Sequence, residues 1–108
     1  MADRPADSSA DPLSRIDPVI HAPARLKVVT QLYVVEAADA TFLIKRTGLT
    51  WGNLSTHLGR LEESGYVALE KGFRGKKPYT MIRLTEAGRE AFRRYRANMR
   101  QALEELPE

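Results

Sequence analysis

Seven side chains between positions 53 and 77 carry the chemistry to hold a charged, hydrogen-bonding partner: Asn53, Ser55, Thr56, Arg60, Arg74, Lys76 and Lys77. The first four combine two-way hydrogen bonding with one guanidinium, the equipment needed to meet base edges or phosphate oxygens. The last three are cations within four positions, and each can neutralise one phosphate.

Other chemistry is thinly supplied. The absence of cysteine excludes disulfides, thiolate metal sites and cysteine nucleophiles. His21 and His57 are the only histidines, and His57 falls beside an apolar seam, where it reads as a packed structural residue rather than a ligand. There is no glycine-rich phosphate loop and no Ser/His/Asp set, and Glu62-Glu63 are exposed neighbours on a helix. The expectation is a binding protein, not an enzyme, with no cofactor and no metal.

The elements that present these side chains follow from hydrophobic spacing. In LTWGNLSTHLGRLEESGY, residues 49–66, Leu54, Leu58 and Leu61 are four and three apart and form one seam of a helix running from about Trp51 to Ser64. The opposite face is Gly52, Thr56, Gly59 and Glu63, flanked by Asn53 and Arg60 on one side and Ser55 on the other. Interior glycines cost a helix about 1 kcal/mol each relative to alanine, so either neighbouring structure compensates or something comes close to this backbone. Thr50 is the expected cap, and Gly48 closes a shorter helix over 41–47 with Phe42 and Leu43 inward. Two helices joined by a tight glycine turn form a helix-turn-helix. Trp51 stands at the helix start, either as a contact at the groove edge or as a plug over the short helix.

Upstream, residues 1–15 hold prolines, serines and aspartates with almost nothing apolar, which predicts a flexible tail. Asp17-Pro18 reads as a helix start. After Pro23, Leu26, Val29, Leu32 and Tyr33 share one helical face with Val28 and Val35 beside it, and 36–39 is a polar break. Downstream, YVALEKGF and YTMIRL alternate as strands joined by FRGKKP, a cationic hairpin tip. Charge at an exposed tip has a simpler explanation in discouraging edge pairing. Thr85 caps a final helix over about 85–104, where Phe92, Tyr95, Met99 and Leu103 make an apolar stripe. That stripe either covers the back of the domain or meets a second copy, and we expect the second, a homodimer.

The 108-residue chain supports one domain, placed at 16–104. Of its 17 cations, ten fall in 71–100, with two acids, so the basic excess lies in one third of the chain and suggests a polyanion partner. No apolar run approaches the roughly 20 residues of a membrane span, and a cytoplasmic protein is expected.

An α+β order of helix, helix-turn-helix, basic hairpin and long helix is that of a winged helix-turn-helix: a three-helix core, a β-hairpin wing and a long C-terminal helix. From about Asp17 to Leu103 the chain resembles the winged-helix transcriptional regulators of the MarR, ArsR and PadR type, and most closely compact one-domain bacterial regulators. The stretches that carry the likeness are DPVIHAPARLKVV, GLTWGNLSTHLGRLEESGYV, KGFRGKKP and RLTEAGREAF. The resemblance implies a homodimer that binds double-stranded DNA sequence-specifically, with the recognition helix in the major groove and the wing on the flanking backbone or minor groove. On matching positions Thr50 becomes the recognition-helix cap, Asn53, Ser55 and Thr56 the base- or phosphate-facing residues, and Arg74, Lys76 and Lys77 the wing contacts. Trp51, Ile44 and Thr47 depart from the pattern. The alternative is a winged-helix interaction module whose basic surface binds an acidic protein partner. Neither the operator nor any small-molecule effector is specified.

Overall fold

The computed structural model describes residues 11–107. The first long helix, α1, is Pro23–Val35, with Pro23 at the first helical position, where its missing N–H costs nothing. A helix begun at Pro18 would carry Pro23 in its interior, where the ring clashes with the preceding turn. Asp17 instead closes a turn, accepting from the Val19 N–H at 2.8 Å. Residues 11–15, expected to belong to a flexible tail, form a defined turn. Asp11 accepts from the Leu13 N–H, Pro12–Arg15 form a 3-10 turn, and Pro12 is buried. Asn98 Nδ2 donates to the Arg15 carbonyl at 3.2 Å, tying this turn to the last helix. The rest of the expected tail, 1–10, lies outside the described residues.

The polar break after α1 is a strand. Glu36 ends α1 at φ 71°, its carbonyl accepts from the Leu84 N–H, and β1, Ala37–Asp39, pairs antiparallel with Arg83, Ile82 and Met81. Ala-Ala-Asp has no alternation of its own, so tertiary pairing alone makes it a strand. Asp39 then caps α2, Ala40–Thr47, by accepting from the Phe42 N–H at 2.8 Å. Gly48 ends α2 in the left-handed region at φ 76°. Thr47 is buried but satisfied, with its hydroxyl donating to Leu43 O at 2.6 Å and accepting from the Leu49 N–H. Helix α3 follows as Trp51–Glu63.

Strands β2, Val67–Arg74, and β3, Lys77–Leu84, complete a three-stranded sheet of order β1-β3-β2. Pairing runs out to Arg74 opposite Lys77, so the turn is only Gly75 and Lys76, with Gly75 at φ 63°. The expected six-residue connection is therefore mostly strand. β1 reaches only Met81, so the outer part of β3 has a free edge where Pro78 is tolerated. The last helix, α4, is Glu86–Glu104, capped by Thr85.

The core joins Val28, Val29 and Leu32 of α1, Leu43 of α2, the α3 leucines, and Val67, Ile82 and Leu84 of the sheet. Tyr66 ties the sheet to the N-terminal turn by donating to Asp17 Oδ2 at 2.5 Å. Burial, and then this carboxylate, push its phenol up from 10.0 to about 12. The folded chain thus keeps a proton that the unfolded chain releases. The stabilisation is whole below pH 10 and is lost as pH rises toward about 12. Tyr66→Phe should cost about 1 kcal/mol near neutral pH and shallow the alkaline decline in thermal unfolding. An unchanged decline between these limits would assign it to other groups.

Candidate nucleic-acid interface

Helix α3 is held from three sides. Thr50 accepts from the Asn53 N–H at 3.1 Å and fixes the first turn, and Leu54, Leu58 and Leu61 are buried. His57 accepts from Arg25 Nη1 at 3.3 Å, while Arg25 Nε donates to the Val19 carbonyl. His57 is therefore a strut between α3 and the turn before α1. Among the described residues no cluster of acids and histidines is able to hold a metal ion.

The opposite face of α3 is open. Gly52, Asn53, Ser55, Thr56 and Arg60 are exposed, and apart from the adjoining residues and the helix's own backbone no described residue comes within 4 Å of a Cβ built on Gly52 or Gly59. Thr56 donates its hydroxyl to the Gly52 carbonyl at 3.1 Å, keeping its lone pairs outward. Arg60 makes only a 4.0 Å exposed ion pair with Glu63, worth little in water. The side chains of Asn53 and Ser55 have no hydrogen-bond partner among the described residues. A buried seam with an unengaged polar face behind it is a rigid rod offering donors and acceptors outward.

The wing cations divide. Lys76 and Lys77 are exposed, with no ion-pair partner among the described residues. Arg74 is not free at the tip as the sequence suggests: its guanidinium lies 4.6 Å from the Tyr79 ring centroid and 3.5 Å from Asp39 Oδ2. The Tyr79 ring in turn lies over Gly72, 3.1 Å from where a Cβ would stand. Arg74 thus braces the wing against the cap of α2, and its charge is partly spent on Asp39.

Trp51 is 54% exposed and so is no buried plug. It stands between two concavities that share Pro78, Tyr79 and Thr80 of the wing. One, of about 480 Å³, reaches Asp39 and Ile44, and the other, of about 400 Å³, lies between α3 and β2. Phe73 lines the second and is 72% exposed. In the sequence Phe73 stands where the YVALEKGF strand meets the FRGKKP connection. The available signal was its place on the inward period-two row after Val67, Leu69 and Lys71, where an edge strand would ordinarily carry charge.

The stripe on α4 does not hold together as one surface. Phe92 and Tyr95 are each only 7% exposed in the single chain, because Phe92 packs on Tyr33 and Tyr95 on His21. Their apolar area is already used within the domain, so they leave the set of side chains free to meet a second copy. Met99 is half-buried and Leu103 is 60% exposed. Two arginines of α4 turn onto α1. Arg89 and Arg96 sit 4.7 and 5.9 Å from the Tyr33 ring centroid. A hydrogen bond from Arg93 holds the Tyr33 phenol below its usual range.

A helix-turn-helix with an open polar recognition face, followed by a sheet with a cationic two-residue tip, defines a winged-helix DNA-binding domain. The chain belongs to the winged helix DNA-binding domain family, whose model matches residues 24–103. It is similar to the uncharacterized protein MJ0432 of Methanocaldococcus jannaschii, 35% identical over 77 residues that span 71% of this chain and 84% of the relative. That relative is archaeal, so the likeness is not confined to bacterial proteins. The transcriptional regulator homologue of Pyrococcus horikoshii OT3 superposes with TM-score 0.79 at 23% identity, covering 91% of this chain and 95% of that one. The transcriptional repressor BigR of Xylella fastidiosa has TM-score 0.54 at 25% identity, covering 95% and 91%. The first of these solved neighbours is described as a transcriptional regulator homologue and the second as a transcriptional repressor. Among the described residues no helix is long and apolar enough to cross a membrane.

Proposed function

We propose that this protein is a cytoplasmic, homodimeric transcriptional regulator that places α3 in the major groove of a specific operator and the wing on the adjoining backbone or minor groove. The observation that carries this is the unengaged polar face of α3, with Asn53, Ser55 and the Thr56 lone pairs pointing away from a fully buried leucine seam. Lys76 and Lys77 supply attraction that is blind to sequence, and the α3 side chains supply the discrimination. Dimerisation draws on Met99 and Leu103, together with the exposed Leu106 just beyond α4 and the exposed Leu13 of the turn that packs on α4. A monomeric mass in solution at micromolar concentration would remove that part of the proposal.

The test is selection of genomic fragments by the full chain at two salt concentrations. A regulator retains a few sites at the higher salt; uniform, salt-labile retention would favour the acidic-partner module. On a selected duplex, Asn53→Ala should chiefly relax base preference, at about 1–3 kcal/mol of discrimination. The pair Lys76→Ala and Lys77→Ala should instead weaken every sequence alike and flatten the salt slope by about 2. Equal losses on operator and random DNA for both variants would remove this division of labour.

A further inference from the structure

The inner face of the wing continues beyond the core it was built to cover. Along β2 the row runs Val67 buried, Leu69 half-buried, then Lys71 and Phe73 exposed, opposite Thr80 and Pro78 of β3. This overhang faces the first turns of α3 and encloses with Trp51 and Ser55 a cleft of about 400 Å³. Two large aromatic side chains, both more than half exposed, thus stand on its two walls, and Lys71 lines the β2 wall with Phe73. Exposed aromatic surface of this kind is uncommon on a protein that uses it for nothing.

We propose that this cleft grips one sugar–phosphate strand of the bound duplex, with Trp51 and Phe73 against deoxyribose faces and Lys71 against a phosphate. The proposal rests on the DNA reading above. If α3 occupies the major groove and the wing the neighbouring minor groove, the strand that separates those grooves has to pass between them, through this cleft. Its chemistry matches the walls: deoxyribose offers apolar C–H faces, and the linking phosphate carries the charge that Lys71 complements. On the other side of Trp51, the Arg74–Asp39 ion pair links the wing to the cap of α2. The cleft therefore sets the position of the protein on the backbone while α3 reads bases.

Trp51 is the only tryptophan, which gives the experiment a direct reporter. The full chain is titrated with a duplex taken from the fragment selection, following tryptophan emission. Sugar accessibility is then mapped by hydroxyl-radical cleavage for the parent, Phe73→Ala, Phe73→Tyr and Lys71→Gln. Emission should change in step with binding. Phe73→Ala should bind about tenfold more weakly and lose protection at the sugars between the two grooves, while the sugars flanking the major groove entered by α3 stay protected. Phe73→Tyr should restore both, and unchanged thermal unfolding of Phe73→Ala shows that the loss is not one of folding. Parent-like affinity and sugar protection in Phe73→Ala, with silent tryptophan emission, would overturn the cleft while leaving DNA binding intact. Failure to select any duplex would remove both readings.

Discussion

Gly88→Ala is expected to destabilise the domain by about 2–4 kcal/mol, although alanine in a helix interior ordinarily gains about 1 kcal/mol over glycine. A Cβ at this position would stand 2.2 Å from the Tyr66 carbonyl oxygen, 3.0 Å from its carbon and 2.8 Å from Leu84 Cδ1. The leucine is able to change rotamer, but the carbonyl is not free to move. It accepts from the Thr85 N–H at 3.0 Å, and Thr85 in turn donates its hydroxyl to Gly65 O at 2.6 Å and accepts from the Gly88 N–H. Relieving the clash therefore means lifting α4 off the start of β2, and with it the Thr85 cap. At about 4–8 °C per kcal/mol for a domain of this size, the loss reads as a drop of roughly 10 °C or more in the midpoint. Denaturant unfolding with an unchanged slope would confirm a native-state effect, and a midpoint equal to or above the parent would refute the close approach.

What was legible in the sequence was what local rules dictate. Gly48, Thr50 and Thr85 each lie where a positive φ or a capping hydroxyl is needed, and each is found in that role. The leucine seam of α3 is buried as its spacing requires. Several of the misreadings involve partners distant in the chain. Ala37–Asp39 becomes a strand only because β3 is there to pair with it. Phe92 reads as a free apolar position until Tyr33, 59 positions earlier, is seen against it. Arg74 reads as a tip cation until Asp39 is found beside it. Gly88 gave no signal at all, because RLTEAGREAF is an ordinary helix start whose one constraint comes from the backbone of residue 66. The polar face of α3 was readable because its periodicity is local, and among the described residues nothing covers it.

Gly52 and Gly59 provide the counterpart to Gly88, and here stability and binding should move in opposite directions. Both positions are helical and, apart from the adjoining residues and the helix's own backbone, no described residue comes within 4 Å of the added Cβ, so Gly52→Ala with Gly59→Ala should stabilise the domain by up to about 1 kcal/mol per site. A folding argument alone gives no reason to retain either glycine. Helix α3 lying in a major groove about 12 Å wide does give one, because a bare backbone on the outward face lets the helix axis approach the base edges more closely. Two methyl groups on that face would hold Asn53 and Ser55 back from the bases, and a displacement near 1 Å exceeds what a hydrogen bond of normal length tolerates. The double variant is therefore expected to melt higher than the parent and bind its selected duplex at least about tenfold more weakly, with the lysine-driven, salt-dependent binding to random DNA nearly unchanged. Since the variant is the more stable protein, weaker binding is not attributable to loss of fold. Parent-like affinity would mean that the glycine face of α3 does not contact DNA at these positions, and the surface that reads the operator would then have to be sought along Asn53, Trp51 and the wing.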